Sequence, residues 1–396
     1  MPRKIAIVTT HPIQYQVPWF RGLAAHPDLD IEVFFCHKAT PAEQAAAGFG
    51  VQFEWDIPLY EGYPYRFLKN VARNPSISTF RGLDTPEIAR IIAQGRYNGV
   101  IVSGWNYKSA WQAILGCWRT GTPVMVRGDT HLYYQRHPLK KAAKWLAYRR
   151  FIPRLDACLA VGKWSREYYI HYGARPDHVF IVPHVIDDEV FMCEAARLQE
   201  SRPALRRKWG LAEDAVVYLF SGKLIERKRP LDFVRAIGKA ARGGAPVVAG
   251  LVVGDGPLRQ ACEALAREIG APVRFAGFLN QSEIVASYVA ADALVLPSDA
   301  RETWGLVVNE AMACGRPCFV SDQVGCGPDL VVPGSTGHIF PMGDVDALAE
   351  LLSMHATHPQ TLKIMGERAR NKARENNVDV AVQGVVQALV ALEARH

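Results

Sequence analysis

The sequence lacks any apolar run near the roughly 18 residues that a bilayer-spanning helix requires, so no segment is expected to cross a membrane. It lacks a Cys-x-x-Cys pair as well. The cysteines at 36, 117, 158, 193, 262, 314, 318 and 326 are scattered, which argues against zinc and fits small apolar packers in a reducing compartment. No small-residue cleavage site follows the opening MPRKIAIVTTHPIQ, so its apolar stretch reads as a first buried strand rather than a signal peptide. A cytoplasmic chain is the expectation. A large charge excess is also missing. A formal +7 over 396 residues suits an anionic ligand or an anionic membrane face, and no nucleic-acid module or basic-aromatic groove accompanies it. Finally, VVGDGPLRQACEAL (252–265) has Arg259 where the third glycine of a dinucleotide fingerprint belongs, which weakens a nicotinamide reading.

What is present is alternation. Short β-rich runs at 4–10, 31–36, 99–104, 123–128, 157–162 and 179–183 alternate with helical patterns, and a second set follows at 216–222, 247–256, 273–278, 293–298, 317–322 and 337–341. Near-continuous apolar strands separated by helices predict parallel sheets covered on both faces. Seen twice, the pattern predicts an α/β chain of two doubly wound, Rossmann-like domains facing across a cleft, with ligands beyond the carboxyl ends of the strands. The expected division is residues 1–190, a linker over 191–203, a second domain over 204–376, and an amphipathic helix over 377–396 packing back toward the first domain.

The stretch SDARETWGLVVNEAMACGRPCFVSD sets Glu302 at the mouth of a helix beginning near Gly305, and Glu310 inside it. Eight residues of helix separate them by about 12 Å along the axis and about 80° around it, the span between the sugar and ribose hydroxyls of a nucleotide diphosphate sugar. The free amides of Gly305, Leu306 and Val307 offer a phosphate seat. The plainer reading is one glutamate favoured by the helix dipole and one solvated. FSGKLIERKRP (220–230) ends a strand and presents Lys223 and Lys228, which suit a departing diphosphate or, alternatively, simple solvation.

SGKLIERKRP, VVGDGPLR, VRFAGFLNQSEIVASYVAADALVLPS, ETWGLVVNEAMACGRP and GSTGHIFPMGDVDALAELL, in that order, resemble the successive motifs of the family-4 retaining glycosyltransferases, which have the GT-B fold. The resemblance implies that Glu302 contacts donor-sugar hydroxyls and Glu310 the ribose. Lys223, where arginine is usual, and Lys228 would bind the diphosphate and assist its departure. Gly305 and Leu306 would supply amides, and the backbone at Leu279 would meet the nucleobase. It also implies a nucleotide-sugar co-substrate, most often a uridine one, with no bound metal and no further cofactor.

The first half matches loosely. His184 stands where asparagine is usual. In THPIQYQVPWF the resemblance directs Gln14 to the diphosphate and His11 to the acceptor, a core or capping histidine being the alternative. PVMVRGDTHLYYQRHP (123–138) lies where the family often has a histidine near the reaction centre. Asp129 is nearest by spacing, with Arg127 and His131 flanking it to hold the acceptor or its phosphate, or else forming plain loop. The aromatic WDIPLYEGYPYRFL (55–68) reads as an acceptor wall or a satellite core. HPLKKAAKWLAYRRFIPRLD (137–156) carries Lys140, Lys141, Lys144, Arg149, Arg150 and Arg154. It reads as a helix covering the sheet with charges in water, or as a rest on the anionic inner face of the cell membrane. The implied activity is sugar transfer to a glycan or lipid-linked saccharide in bacterial surface polysaccharide assembly. The alternatives are a GT-B sugar-nucleotide epimerase or hydrolase, and a non-catalytic nucleotide-sugar-binding homologue. No nucleic-acid partner is expected.

Overall fold

The computed structural model describes residues 2–38, 40, 53–133, 137–242 and 247–394. The chain divides into two compact units. The first comprises Met1–Thr40, Pro58–Ile186 and Asn377–His396, the second Pro41–Ile57 and Asp187–Asn376.

Among the described residues, the first unit holds a parallel sheet of β1 (Arg3–Thr9), β2 (Leu29–Phe35), β3 (Tyr65–Phe67), β4 (Gly99–Ser103), β5 (Val124–Gly128), β6 (Ala157–Ala160) and β7 (Val179–Ile181), ordered β3-β2-β1-β4-β5-β6-β7. Along β1, Ile5 and Ile7 enter one apolar layer while Ala6 and Val8 enter the other. Both faces are buried, which is why the strand reads as an unbroken apolar run. The helix Val378–Glu393 supplies Ala381, Val382, Val385, Ala388, Leu389 and Leu392 to the Ile5 layer. Its end is tied down by Glu393, which accepts two hydrogen bonds from Arg3 at 2.7 and 2.8 Å.

The second unit, among its described residues, holds β8 (Val216–Ser221), β9 (Val248–Val253), β10 (Val273–Gly277), β11 (Ala293–Leu296), β12 (Cys318–Ser321) and β13 (Gly337–Phe340), parallel and ordered β10-β9-β8-β11-β12-β13. In each sheet the winding reverses once, between β1 and β4 and between β8 and β11. Connections there leave in opposite directions and open a crevice outside the strands' carboxyl ends.

Four features differ from expectation. β3 was unannounced: three residues at a sheet edge carry no apolar run, and Tyr65 is exposed. Its aromatic neighbourhood is core packing, with Tyr63 against Phe20 and Phe67 against Phe35, ring centroids 5.2 and 5.4 Å apart. The expected linker is helical: Asp188–Leu198 and Arg202–Lys208 belong to the second unit, and Arg202 and Arg206 both pair with Asp292. Residues 53–56 also belong there. Phe53 lies 4.5 Å from Phe278 between ring centroids, the Glu54 carbonyl accepts from Asn280 Nδ2 (2.8 Å), and Asp56 accepts from the amide of Ser282 (3.2 Å). Lastly, the helix Pro138–Phe151 does not cover the sheet with Leu139, Trp145 and Leu146, which are all exposed. Among the described residues, no helix is long and apolar enough to cross a membrane.

Candidate active site

In the second unit, β8 and β11 end side by side at the reversal, and their loops bring together residues 74 positions apart in sequence. β8 is buried throughout and delivers Lys223 just past Gly222. A tight turn over Glu226–Lys228 then folds Lys228 inward. Its Nζ lies 2.6 Å from Glu302 Oε2, with both side chains largely buried at 10% and 12% exposure. Glu302 is held by its backbone, its amide donating to the Asp299 carbonyl (2.9 Å) and its carbonyl accepting from the Gly325 amide (3.0 Å). The GDG triplet after β9 serves the same loop. A Cβ on Gly254 would stand 2.0 Å from the Gly222 carbonyl oxygen, and one on Gly256 within 3 Å of the Leu224 backbone. Those glycines let β9 pack on the lysine loop, and Arg259 pairs with Asp255 and Glu263 at 2.7 and 2.9 Å.

Gly305 adopts φ +106° and caps the helix Leu306–Ala313. A side chain there would be backbone-strained and would meet Leu296 at 2.9 Å, so glycine is needed for the chain to turn from β11 into the helix. The amides of Leu306 and Val307, at the start of the helix, have no preceding helical carbonyl to bond, whereas that of Val308 donates to the Gly305 carbonyl (2.9 Å). Glu302 thus lies four residues ahead of the helix's first residue, Leu306, not on the helix.

Glu310 faces inward and accepts a hydrogen bond from the Tyr288 hydroxyl (2.6 Å). Burial raises its carboxyl to about 7, against the opposing pull of Tyr288, Lys228 and Gln281. Gln281, two residues after Leu279, is among the groups opposing that rise, so Leu279's loop borders the Glu310 end of the site. Lys223 is pushed down to about 8, chiefly by burial and then by the cations Arg227 and Lys228, with Glu302 opposing. The site is therefore a cation pair, one ammonium held by an acid and the other lowered by burial, beside a helix N-terminus and a second acid raised by burial. Such an array can take up a pyrophosphate and polyhydroxyl groups flanking it.

The first unit carries a cavity of about 340 Å³ at its own reversal, lined by residues following β1, β4 and β5, among them His11, Asn106, Asp129 and His184. Asp129 Oδ2 lies 3.7 Å from His184 Nε2. His184 is held low, first by burial and then by Arg127, against the pull of Asp129. Tyr15 meets the His184 ring edge-on at 5.5 Å, and its hydroxyl is pushed up to about 12 by burial and Asp129. The His11 Nδ1 is 3.0 Å from Thr10 Oγ1.

Two expectations need correcting here. Arg127 lines the cavity, yet its guanidinium donates to the Val182 and Pro183 carbonyls (3.3 and 2.7 Å) and stacks over Trp19 at 4.6 Å. It braces the chain that presents His184 rather than reaching for a phosphate. His131 is buried, accepts from the Tyr133 amide (3.3 Å) and packs edge-on to Trp164, outside the cavity wall. Gln14 sits between the lining residues Ile13 and Tyr15 without lining the cavity itself. Its Oε1 is buried with no hydrogen-bond partner among the described residues. Sequence reasoning missed Tyr288, Gln281 and His184. Only His184 left a signal, as a departure from the motif it occupies. The sequence also contains two Asp-x-Asp triplets, at 28–30 and 344–346. Asp344 caps a helix through the Ala347 amide and Asp346 pairs with Lys239.

Residues 201–372 match the family model of glycosyl transferases group 1, and residues 21–190 that of glycosyltransferase family 4. The chain belongs to the family-4 glycosyltransferases of GT-B fold. Among characterised relatives of this family, the D-inositol 3-phosphate glycosyltransferase of Kribbella flavida is 31% identical over 257 residues, covering 62% of this chain and 59% of the relative. The chain spans about half to three fifths of the length of curated relatives that it matches. A glycosyltransferase from Rickettsia africae shares the fold at TM-score 0.75 and 14% identity, with both chains covered fully. Anabaena HepE, crystallised with UDP and glucose, does so at TM-score 0.68 and 17% identity over 98% of this chain and 99% of its own.

Proposed function

We propose that this family-4 glycosyltransferase moves a sugar from a nucleoside diphosphate sugar, a uridine one, to a glycan or lipid-linked saccharide. The observation that carries the reading is the buried Lys228–Glu302 pair at the β8/β11 reversal, beside Lys223, Glu310 and an open helix N-terminus. In this reading the pyrophosphate sits against the first-turn amides of Leu306–Ala313, and Lys223 and Lys228 neutralise it. Glu302 orients the sugar hydroxyls, and Glu310, its acidity set near neutrality, accepts from the ribose. The bond from the anomeric carbon to the phosphate oxygen breaks with its electron pair leaving on the diphosphate, where the two ammonium groups stabilise the developing charge. The acceptor oxygen bonds to the same carbon and passes its proton to the departing diphosphate oxygen. The anomeric configuration is retained, and helix amides and lysines supply the electrostatics without a metal.

In this reading the acceptor enters the cavity of the first unit, with Asp129, His184 and His11 in its lining. Such a chain would work in the cytoplasm on surface polysaccharide. The test is UDP release from UDP-sugars with and without candidate saccharides. Release that rises at least tenfold with one acceptor supports transfer. Equal release without any acceptor would replace transfer by hydrolysis, and failure of every nucleoside diphosphate sugar to bind would remove the donor site.

A further inference from the structure

The helix Pro138–Phe151 is anchored on one side only. Tyr148 and Phe151 pack into the core layer with Trp105 and Trp111, and the Trp105 Nε1 donates to the Tyr148 hydroxyl (2.9 Å). Lys144 turns inward as well, within about 5 Å of the Tyr148 and Tyr168 rings. At about 100° per residue, Leu139 lies half a turn from Tyr148, on the opposite side of the helix. Leu146 falls within about 20° of Leu139, and Ala142 and Ala143 lie between them. All four are exposed, Leu139 at 76% and Leu146 at 52%. An apolar ridge at i, i+3, i+4 and i+7 therefore points away from the protein's own core.

The charges beside that ridge are of one sign. Arg150 projects within about 20° of Leu139, and Arg149 and Lys140 flank it within roughly 100° on either side. All three are exposed. No acidic residue occurs between Asp129 and Asp156. A helix that merely shielded the sheet would place its leucines inward and its charges outward. Here the leucines and the arginines share the outward face.

We propose that this face is a docking surface for an anionic lipid bilayer, with Leu139 and Leu146 entering the headgroup–acyl boundary and Lys140, Arg149 and Arg150 on the lipid phosphates. About 21 Å of helix lies along the surface in this arrangement, held by modest apolar insertion plus several basic contacts. Charge complementarity selects lipid over a second copy of the chain, because two such faces would oppose like charges. The inference does not depend on sugar transfer.

The full chain is sedimented with vesicles of phosphatidylcholine alone and with roughly 30% phosphatidylglycerol added. Binding is expected only with the anionic lipid. Lys140→Gln/Arg150→Gln should weaken it by about fivefold per cation removed. Leu139→Ser/Leu146→Ser should weaken it at least about tenfold, with melting temperature and UDP affinity unchanged, since both side chains are exposed. Binding indifferent to lipid charge, binding that survives the double leucine change, or a dimer in light scattering that this change dissociates would each overturn the proposal.

Discussion

Replacing Lys228 by alanine tests the centre of the donor reading. The ammonium–carboxylate contact with Glu302 is 2.6 Å and largely shielded from water. At an effective dielectric near 20 the bare attraction is on the order of 6 kcal/mol, and desolvation of both groups cancels much of it. What the alanine variant exposes is the carboxylate left behind. Breaking a buried pair from one side costs about 3–5 kcal/mol, or roughly 10 °C in the melting of a unit this size. Affinity for UDP falls for a separate reason, the loss of one charge-assisted contact, about 1.5–3 kcal/mol or some tenfold to hundredfold in Kd. Lys228→Ala/Glu302→Gln separates the two effects. Neutralising the stranded acid should restore most of the melting temperature and none of the UDP affinity. Calorimetric titration at neutral pH with parallel thermal melts reads both. UDP affinity unchanged in Lys228→Ala, or restored along with stability in the double variant, would show that the pair is purely structural.

Two further predictions concern titration. Lys223 sits near 8 because it is buried among cations, so UDP affinity should decline as pH rises past about 8, and Lys223→Met should bind weakly with a flatter profile in calorimetry across pH 7–10. The depressed pKa also means that the charged form is the disfavoured one. The penalty is fully present below pH 8 and fades as pH rises toward the unfolded value, so Lys223→Met should melt higher at pH 7. Glu310 is raised to about 7, so the folded state holds a proton that the unfolded chain releases near 4.3. Stability should fall by about 3 kcal/mol between pH 4.5 and 7 on its account. Glu310→Gln should abolish that component of the melting profile and weaken UDP binding, and an unaltered profile would refute the assignment.

Much of this protein was legible from local pattern. The twelve expected strands all form: the central ones are buried on both faces of a parallel sheet, and the edge strands β7, β10 and β13, only partly buried, keep enough apolar sequence to read as strands. The motif residues Lys223, Lys228, Glu302 and Gly305 fall at strand ends and at a helix N-terminus as their spacing implied. The failures share a cause. β3 is a short edge strand stabilised by β2 rather than by its own composition. The 188–208 helices look like linker because few of their apolar residues are buried, in the first helix Phe191 and Ala195, and those count only once the second unit packs on them. Likewise, nothing local tells residues 53–56 that Phe278 awaits them.

The sequence by itself determined the two parallel sheets, the strand-end positions of the site residues and the glycine at 305, since burial on both faces, turn geometry and backbone sterics act over a few residues. Tertiary structure alone decided that Lys228 meets Glu302, that the Tyr288 hydroxyl reaches Glu310, that Arg127 braces His184, and which side of 138–151 faces outward. Those outcomes rest on charges and packing between segments far apart in the chain, where desolvation and close approach set the energy and no periodicity records it.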